Sequence, residues 1–162
     1  MGLLTRDFFK HAVASVAVVL FLSSTPSYAA AVDEVKFVDV DGVRTGYLEG
    51  GSGEAMVLVH GGSFGSAVSA NCWSPIFDDL AAHFHVYVID KLGQGYTGNP
   101  KRDADYTMAA VVRHLGGFLA KMKLADVNLV GHSRGGYVVG RLTLEQPDLV
   151  RTCTIVDSNS LA

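Results

Sequence analysis

Five consecutive residues, Gly131-His132-Ser133-Arg134-Gly135, with Gly136 behind them, combine a nucleophile with the freedom to expose it. They follow a short apolar run (Val127, Leu129, Val130) and open a segment, Gly136 to Glu145, that reads as a helix. A Gly-x-Ser-x-Gly at a strand-to-helix junction has to bend very tightly, so the residues flanking the serine must lack side chains that would collide. Such crowding lifts the serine oxygen above the sheet, where a substrate carbonyl can reach it. The chain holds 18 glycines, so the string alone says little. Its strand–turn–helix setting gives it meaning.

The surrounding pattern supplies that setting. Val35–Val40 and Arg44–Leu48 alternate as two strands joined by an Asp41-Gly42 turn. Ala55 to Val59 is a continuous apolar run, as expected of a strand covered on both faces, and it ends at His60-Gly61-Gly62-Ser63-Phe64. Ser74-Pro75 reads as an N-cap followed by proline at the first helical position, with a helix to about Ala82. Phe84–Ile89 is another buried strand, ending at Asp90, and 91–105 shows no period and reads as loop. Met108, Val111, Val112, Leu115, Phe118, Leu119 and Met122 mark one face of an amphipathic helix. The helix after Ser133 stops at Gln146-Pro147, and Val150–Val156 forms a last strand before Asp157. Strands alternating with helices predict an α/β fold of about six strands, mostly parallel, with helices on both faces. Gly62, Asp90, Ser133 and Asp157 all fall just after strand ends. Ligands bind at that carboxyl edge in open α/β sheets.

Composition sets the frame. Of 162 residues, 49% are hydrophobic and 18% charged, which suits one globular core and argues against disorder. A net charge of −3 without a basic cluster excludes nucleic acid as a natural partner. Residues 1–30 stand apart: Arg6 and Lys10, then an apolar stretch Ala12 to Leu22, then small residues at Ser27 and Ala29. This is the pattern of a secretory signal peptide, with an apolar middle shorter than the ~20 residues of a membrane span. The expected organisation is signal over 1–30 and one domain over 31–162, in a periplasmic or secreted protein with no stable membrane span once the signal is removed. Export permits a disulfide, yet Cys72 before a helix and Cys153 in mid-strand are expected as two free thiols.

Two other chemistries can be weighed on residues. Gly93-x-Gly95-x-x-Gly98 matches a dinucleotide fingerprint, but Gly98 runs into Asn99-Pro100 instead of opening a helix that could hold a pyrophosphate. His83-x-His85 offers two ligands on one strand face without a third at suitable spacing for zinc. Neither a metal nor a cofactor is therefore expected.

On the elbow and His60-Gly61-Gly62, together with Asp90-Lys91-Leu92-Gly93-Gln94-Gly95-Tyr96-Thr97, the chain from about Val35 onward resembles the α/β-hydrolase family. Within it the chain is most similar to the carbon–carbon hydrolases of meta-cleavage pathways. The resemblance implies a serine nucleophile at Ser133, flanked by the elbow residues Gly131, His132 and Gly135. It implies an oxyanion hole of backbone N–H groups from Gly62, Ser63 and Arg134, with His60, Gly61 and Asp90 shaping the loops. It also implies a small-molecule carbonyl substrate, an ester or a vinylogous diketone, and no cofactor. Serine at the elbow argues against the dehalogenase and epoxide hydrolase branches, which use aspartate there.

The family order is serine, acid, histidine. Asp157 is the candidate acid, set against its plainer reading as a solvated strand-end carboxylate. No histidine follows Ser133, since His60, His83, His85, His114 and His132 all precede or adjoin it. Family members continue through a cap, two more strands and a histidine loop for roughly a hundred residues. The expectation is thus the N-terminal two-thirds of a hydrolase core, truncated and impaired in catalysis. The competing expectation is a non-catalytic fragment or interaction module that pairs with another chain through its exposed sixth strand, Ile155 and Val156 included.

Overall fold

A computed structural model of the chain describes residues 35–158. The expected signal, residues 1–30, lies outside them. The described residues form one six-stranded sheet. Strands β1 (Lys36–Val40) and β2 (Val43–Gly50) make an antiparallel hairpin, and β2 runs antiparallel to β4 (His85–Ile89). From there the sheet is parallel: β4 pairs with β3 (Ala55–Val59), β3 with β5 (Val127–His132), and β5 with β6 (Val150–Val156). The order across the sheet is β1-β2-β4-β3-β5-β6. At the hairpin, Asp41 and Gly42 both take positive φ (52° and 77°), the turn whose twist matches that of the strands it joins.

Helices cover both faces, as the alternating pattern requires. Helix α2 (Met108–Lys121) and α3 (Arg134–Glu145) pack Val111, Leu115, Phe118, Val138 and Leu142 against Val57, Val59 and Leu129. On the other face, Leu48, Leu58, Val86 and Val88 meet Trp73 and the inner side of α1 (Ser74–Ala81) through Phe77 and Leu80. Val57 and Val59 face one cluster and Leu58 the other, the period-two alternation of a strand buried on both sides.

This order creates one special crevice. The connection leaving β3 turns toward β4, whereas that leaving β5 turns toward β6 on the opposite side. The two adjacent strands therefore splay their following loops apart at their carboxyl ends, which is the topological switch point of the sheet. The loop after β3 carries His60-Gly61-Gly62, and the turn after β5 carries Ser133.

Two local expectations are corrected. Ser74 is not an N-cap but the first residue of α1; a 3-10 turn (Ala70–Trp73) runs straight into the helix, so Trp73 is already helical and no side chain caps the end. Thr107 does cap α2, its Oγ1 accepting from the Ala110 N–H at 3.2 Å. Helix α3 begins at Arg134, two residues before the expected Gly136. Strand β6 is an edge paired only with β5 among the described residues, and Ile155 and Val156 are each 40% exposed.

Candidate active site

Ser133 sits at φ 52°, ψ −121°, a conformation L-residues avoid. Holding a non-glycine residue there costs about 1–3 kcal/mol, so the surroundings must enforce it. The Ser133 N–H donates to the Val156 carbonyl at 2.9 Å, and its own carbonyl accepts from the Gly136 N–H at 2.9 Å, starting α3. The glycines make the bend feasible. A Cβ on Gly131 would lie 2.3 Å from the Gly135 oxygen, and one on Gly135 would lie 2.2 Å from the Val59 oxygen. Strand β5, the start of α3 and the end of β3 are thus in backbone contact. Ser133 itself remains half-buried, and its Oγ makes no hydrogen bond among the described residues.

The His-Gly-Gly loop lies directly against the bend: a Cβ on Gly61 would be 3.0 Å from that of Ser133 and 3.2 Å from His132 Nδ1. His60 is fully buried, and its ring braces the loop. Its Nε2 accepts from the Lys91 N–H at 3.1 Å, which leaves the proton on Nδ1 to donate to the Gly61 carbonyl at 2.8 Å. Burial, reinforced by the nearby Lys91 charge, pushes His60 down to about 3, so the ring is neutral. Its 3.9 Å approach to Asp90 is therefore not an ion pair. With both nitrogens committed, His60 has no lone pair left to act as a base.

The next peptide is held as well. Gly62, at φ 76°, turns its carbonyl to Lys91 Nζ at 2.7 Å. The N–H groups of Gly62 and Ser63 donate no hydrogen bond among the described residues. Arg134, the residue after the serine, opens α3 with its side chain exposed.

Asp90 is a loop clamp. Its carboxylate accepts from the Ala70 N–H at 2.6 Å and the Tyr96 N–H at 2.8 Å, while its carbonyl accepts from Thr97 Oγ1 at 2.7 Å. Desolvation raises its pKa, and the two backbone donors oppose that rise. Asp157, at φ 45°, is exposed just past β6, beside the bend, with no hydrogen bond or ion pair among the described residues.

Two other histidines are engaged away from the bend. His114 on α2 meets Thr45 Oγ1 at 3.0 Å, and His85 is tied to Glu49 at 2.8 Å. No histidine nitrogen hydrogen-bonds Ser133 among the described residues. Both cysteines are free, Cys72 exposed and Cys153 half-buried. Sequence reasoning includes Lys91 and Gln94 in the family-like loop but gives neither a role. Gln94 Nε2 donates to Ser66 Oγ at 2.6 Å and so steadies the same loop. Both lie in a segment without periodicity, where the one available signal was position: a lysine directly after the strand-ending Asp90, on the edge where Gly62 and Ser133 also stand.

The switch-point crevice, the strained serine between glycines and the braced His-Gly-Gly loop together describe an α/β-hydrolase type of fold. The alpha/beta hydrolase fold profile matches residues 54–162, and the chain belongs to that family. It is 35% identical over 127 residues to the 2-hydroxy-6-oxo-6-(2'-aminophenyl)hexa-2,4-dienoic acid hydrolase of Metapseudomonas resinovorans, a match covering 78% of this chain and 43% of the relative. The crystal structure of a serine hydrolase involved in carbazole degradation superposes with TM-score 0.65 at 36% identity, over 72% of this chain and 44% of that one. A membrane phospholipase A, described as a bacterial virulence factor, superposes with TM-score 0.70 at 25% identity, over 77% and 39%. The chain thus spans less than half the length of the proteins it matches.

Proposed function

We propose that Ser133 is the nucleophile of a hydrolase acting on a small-molecule carbonyl compound, with the N–H groups of Gly62, Ser63 and Arg134 receiving the oxyanion. The observation that carries this reading is the strained backbone of Ser133, held with a free Oγ against the Gly61 loop. Attack forms a bond from Oγ to the carbonyl carbon and moves charge onto oxygen. Two consecutive amides whose carbonyls are already engaged face no reorganisation when that charge appears, which is how preorganised donors accelerate such a step. The names of the similar hydrolases favour carbon–carbon cleavage of a vinylogous diketone, in which the departing carbon leaves as a stabilised enolate. Ester hydrolysis uses the same first step.

The proton of Ser133 needs an acceptor. His60 is committed to its loop and no histidine follows Ser133, so we propose that this 162-residue chain by itself is slow. Without a triad member only the oxyanion hole and binding remain, a residual on the order of 10³–10⁴ over water. Asp157, exposed just past β6, is the acid we propose to orient a base supplied by another segment. Residues 1–30 support export to the periplasm or beyond, which an alkaline-phosphatase fusion reports. The exposed edge of β6 supports a second reading, association with another chain.

A fluorophosphonate probe tests the main reading. Labelling of the wild type that vanishes in Ser133→Ala is expected; equal labelling of both overturns it. Loss of dienoate absorbance against p-nitrophenyl ester release separates the two substrate classes.

A further inference from the structure

Lys91 is buried to 3% exposure, where a lysine would ordinarily extend its ammonium to water. No carboxylate lies within ion-pair distance of it among the described residues. Its Nζ instead donates to the Gly62 carbonyl at 2.7 Å, while its backbone N–H holds His60 Nε2 at 3.1 Å. One residue therefore grips the loop at both ends: through the imidazole that fixes the Gly61–Gly62 peptide, and directly at the Gly62–Ser63 peptide.

Resting on the oxyanion role proposed above, we infer that Lys91 is a positioning residue that orients and polarises the Gly62–Ser63 peptide. In a trans peptide the N–H points opposite to the C=O. Anchoring the Gly62 carbonyl on the ammonium turns the Ser63 N–H away from Lys91. The cation draws electron density toward that carbonyl, which makes the conjugated N–H a stronger donor, as in any chain of polarised hydrogen bonds. A buried cation with no carboxylate within ion-pair distance also adds positive potential where negative charge would develop. A lysine that merely filled space could be replaced by methionine without consequence for Ser63.

The arrangement titrates in an accessible range. Burial lowers Lys91 to about 8, with the Arg134 charge pushing the same way and Cys72 opposing. The titratable and charged groups around it are His60 at the end of β3, Cys72 in the 3-10 turn, Asp90 beside it and Arg134 at the start of α3. Above that pH the neutral amine still donates, but more weakly.

The test follows the Ser63 amide ¹⁵N resonance between pH 6.5 and 9.5, which needs no catalysis. An inflection near pH 8 is expected in the wild type and in Cys72→Ser, and none in Lys91→Met or Lys91→Arg. Its absence in the wild type, or its persistence in Lys91→Met, overturns the inference. In the labelling assay at pH 7, Lys91→Met should slow reaction at Ser133 by about ten- to a hundredfold, and Lys91→Arg should restore much of it. Equal rates for wild type and Lys91→Met would also overturn it. Labelling independent of Ser133 alongside an intact Ser63 inflection would instead sink the nucleophile reading and leave Lys91 as the support of its loop.

Discussion

Acidification should unfold this protein steeply between pH 6.5 and 4, and two buried histidines set the slope. Burial holds His60 at about 3 and His114 at about 4, against 6.5 for an exposed imidazole. His60 and His114 are 0% and 7% exposed, so little solvent screening applies. Because both values are depressed on folding, the unfolded chain binds protons below pH 6.5 that the folded chain refuses. Stability is therefore complete above pH 6.5 and is lost as pH falls toward the folded values. Each such site contributes about 1.4 kcal/mol per pH unit, so the pair gives roughly 2–3 kcal/mol per unit between pH 6 and 4. A total loss of roughly 5 kcal/mol by pH 4.5 rivals the whole stability of an ordinary domain. Asp90, whose pKa is raised on folding, has the opposite sign and softens the acid end of the curve. Urea titrations at half-unit pH steps, followed through Trp73, the sole tryptophan and a buried one, give the slope directly. His114→Gln keeps a donor for Thr45 Oγ1 without the titration and should roughly halve it. A stability that stays flat from pH 6.5 to 5, or a slope unchanged in His114→Gln, would refute the assignment of these rings as neutral buried groups.

Four further outcomes follow from the same geometry. Ser133→Gly relieves the φ 52° strain and should stabilise the fold by about 1 kcal/mol in urea while abolishing labelling, separating stability from function at one residue. Gly135→Ala drives a Cβ into the Val59 oxygen at 2.2 Å and should destabilise by about 1–3 kcal/mol or more, seen as a lower urea midpoint. Asp90→Asn leaves one of the Ala70 and Tyr96 amides without an acceptor and should cost about 1–3 kcal/mol by the same measurement. Val156→Lys places a charge on the exposed β6 edge and should shift any sedimenting oligomer to monomer; an unchanged distribution would exclude that edge as the contact.

The parts of the fold legible in the sequence were those fixed by nearest neighbours. Ala55–Val59 had to be a strand buried on both faces because no polar residue interrupts it, and Asp41-Gly42 had to be a tight hairpin turn. Ser74 was misread because the local rule is correct only if the preceding residues are not already helical; the turn at Ala70–Trp73 is held by Asp90, twenty residues away, whose carboxylate takes the Ala70 N–H. The order β2-β4-β3-β5 was likewise invisible, since it depends on which strands find one another across long connections.

The same division runs through the site itself. Gly131 and Gly135 could be read from sequence because a Cβ at either would collide with a backbone oxygen, which admits only one residue type. Steric necessity leaves a signature in residue identity. Electrostatic support does not: a lysine in an aperiodic loop looks like a solvated charge until the Gly62 carbonyl is found 2.7 Å from it. His60 shows both aspects at once. Its identity announced the loop, but its inability to serve as a base became plain only when both ring nitrogens were seen to be occupied, one by Gly61 and the other by the backbone of Lys91. On the oxyanion role proposed above, the groups that prepare the loop for negative charge lie within the described residues, whereas no described histidine hydrogen-bonds Ser133. Binding of an anionic tetrahedral analogue and turnover of a neutral substrate should accordingly come apart: the first requires only what the amides of Gly62, Ser63 and Arg134 and the Lys91 ammonium supply, and the second waits on a base.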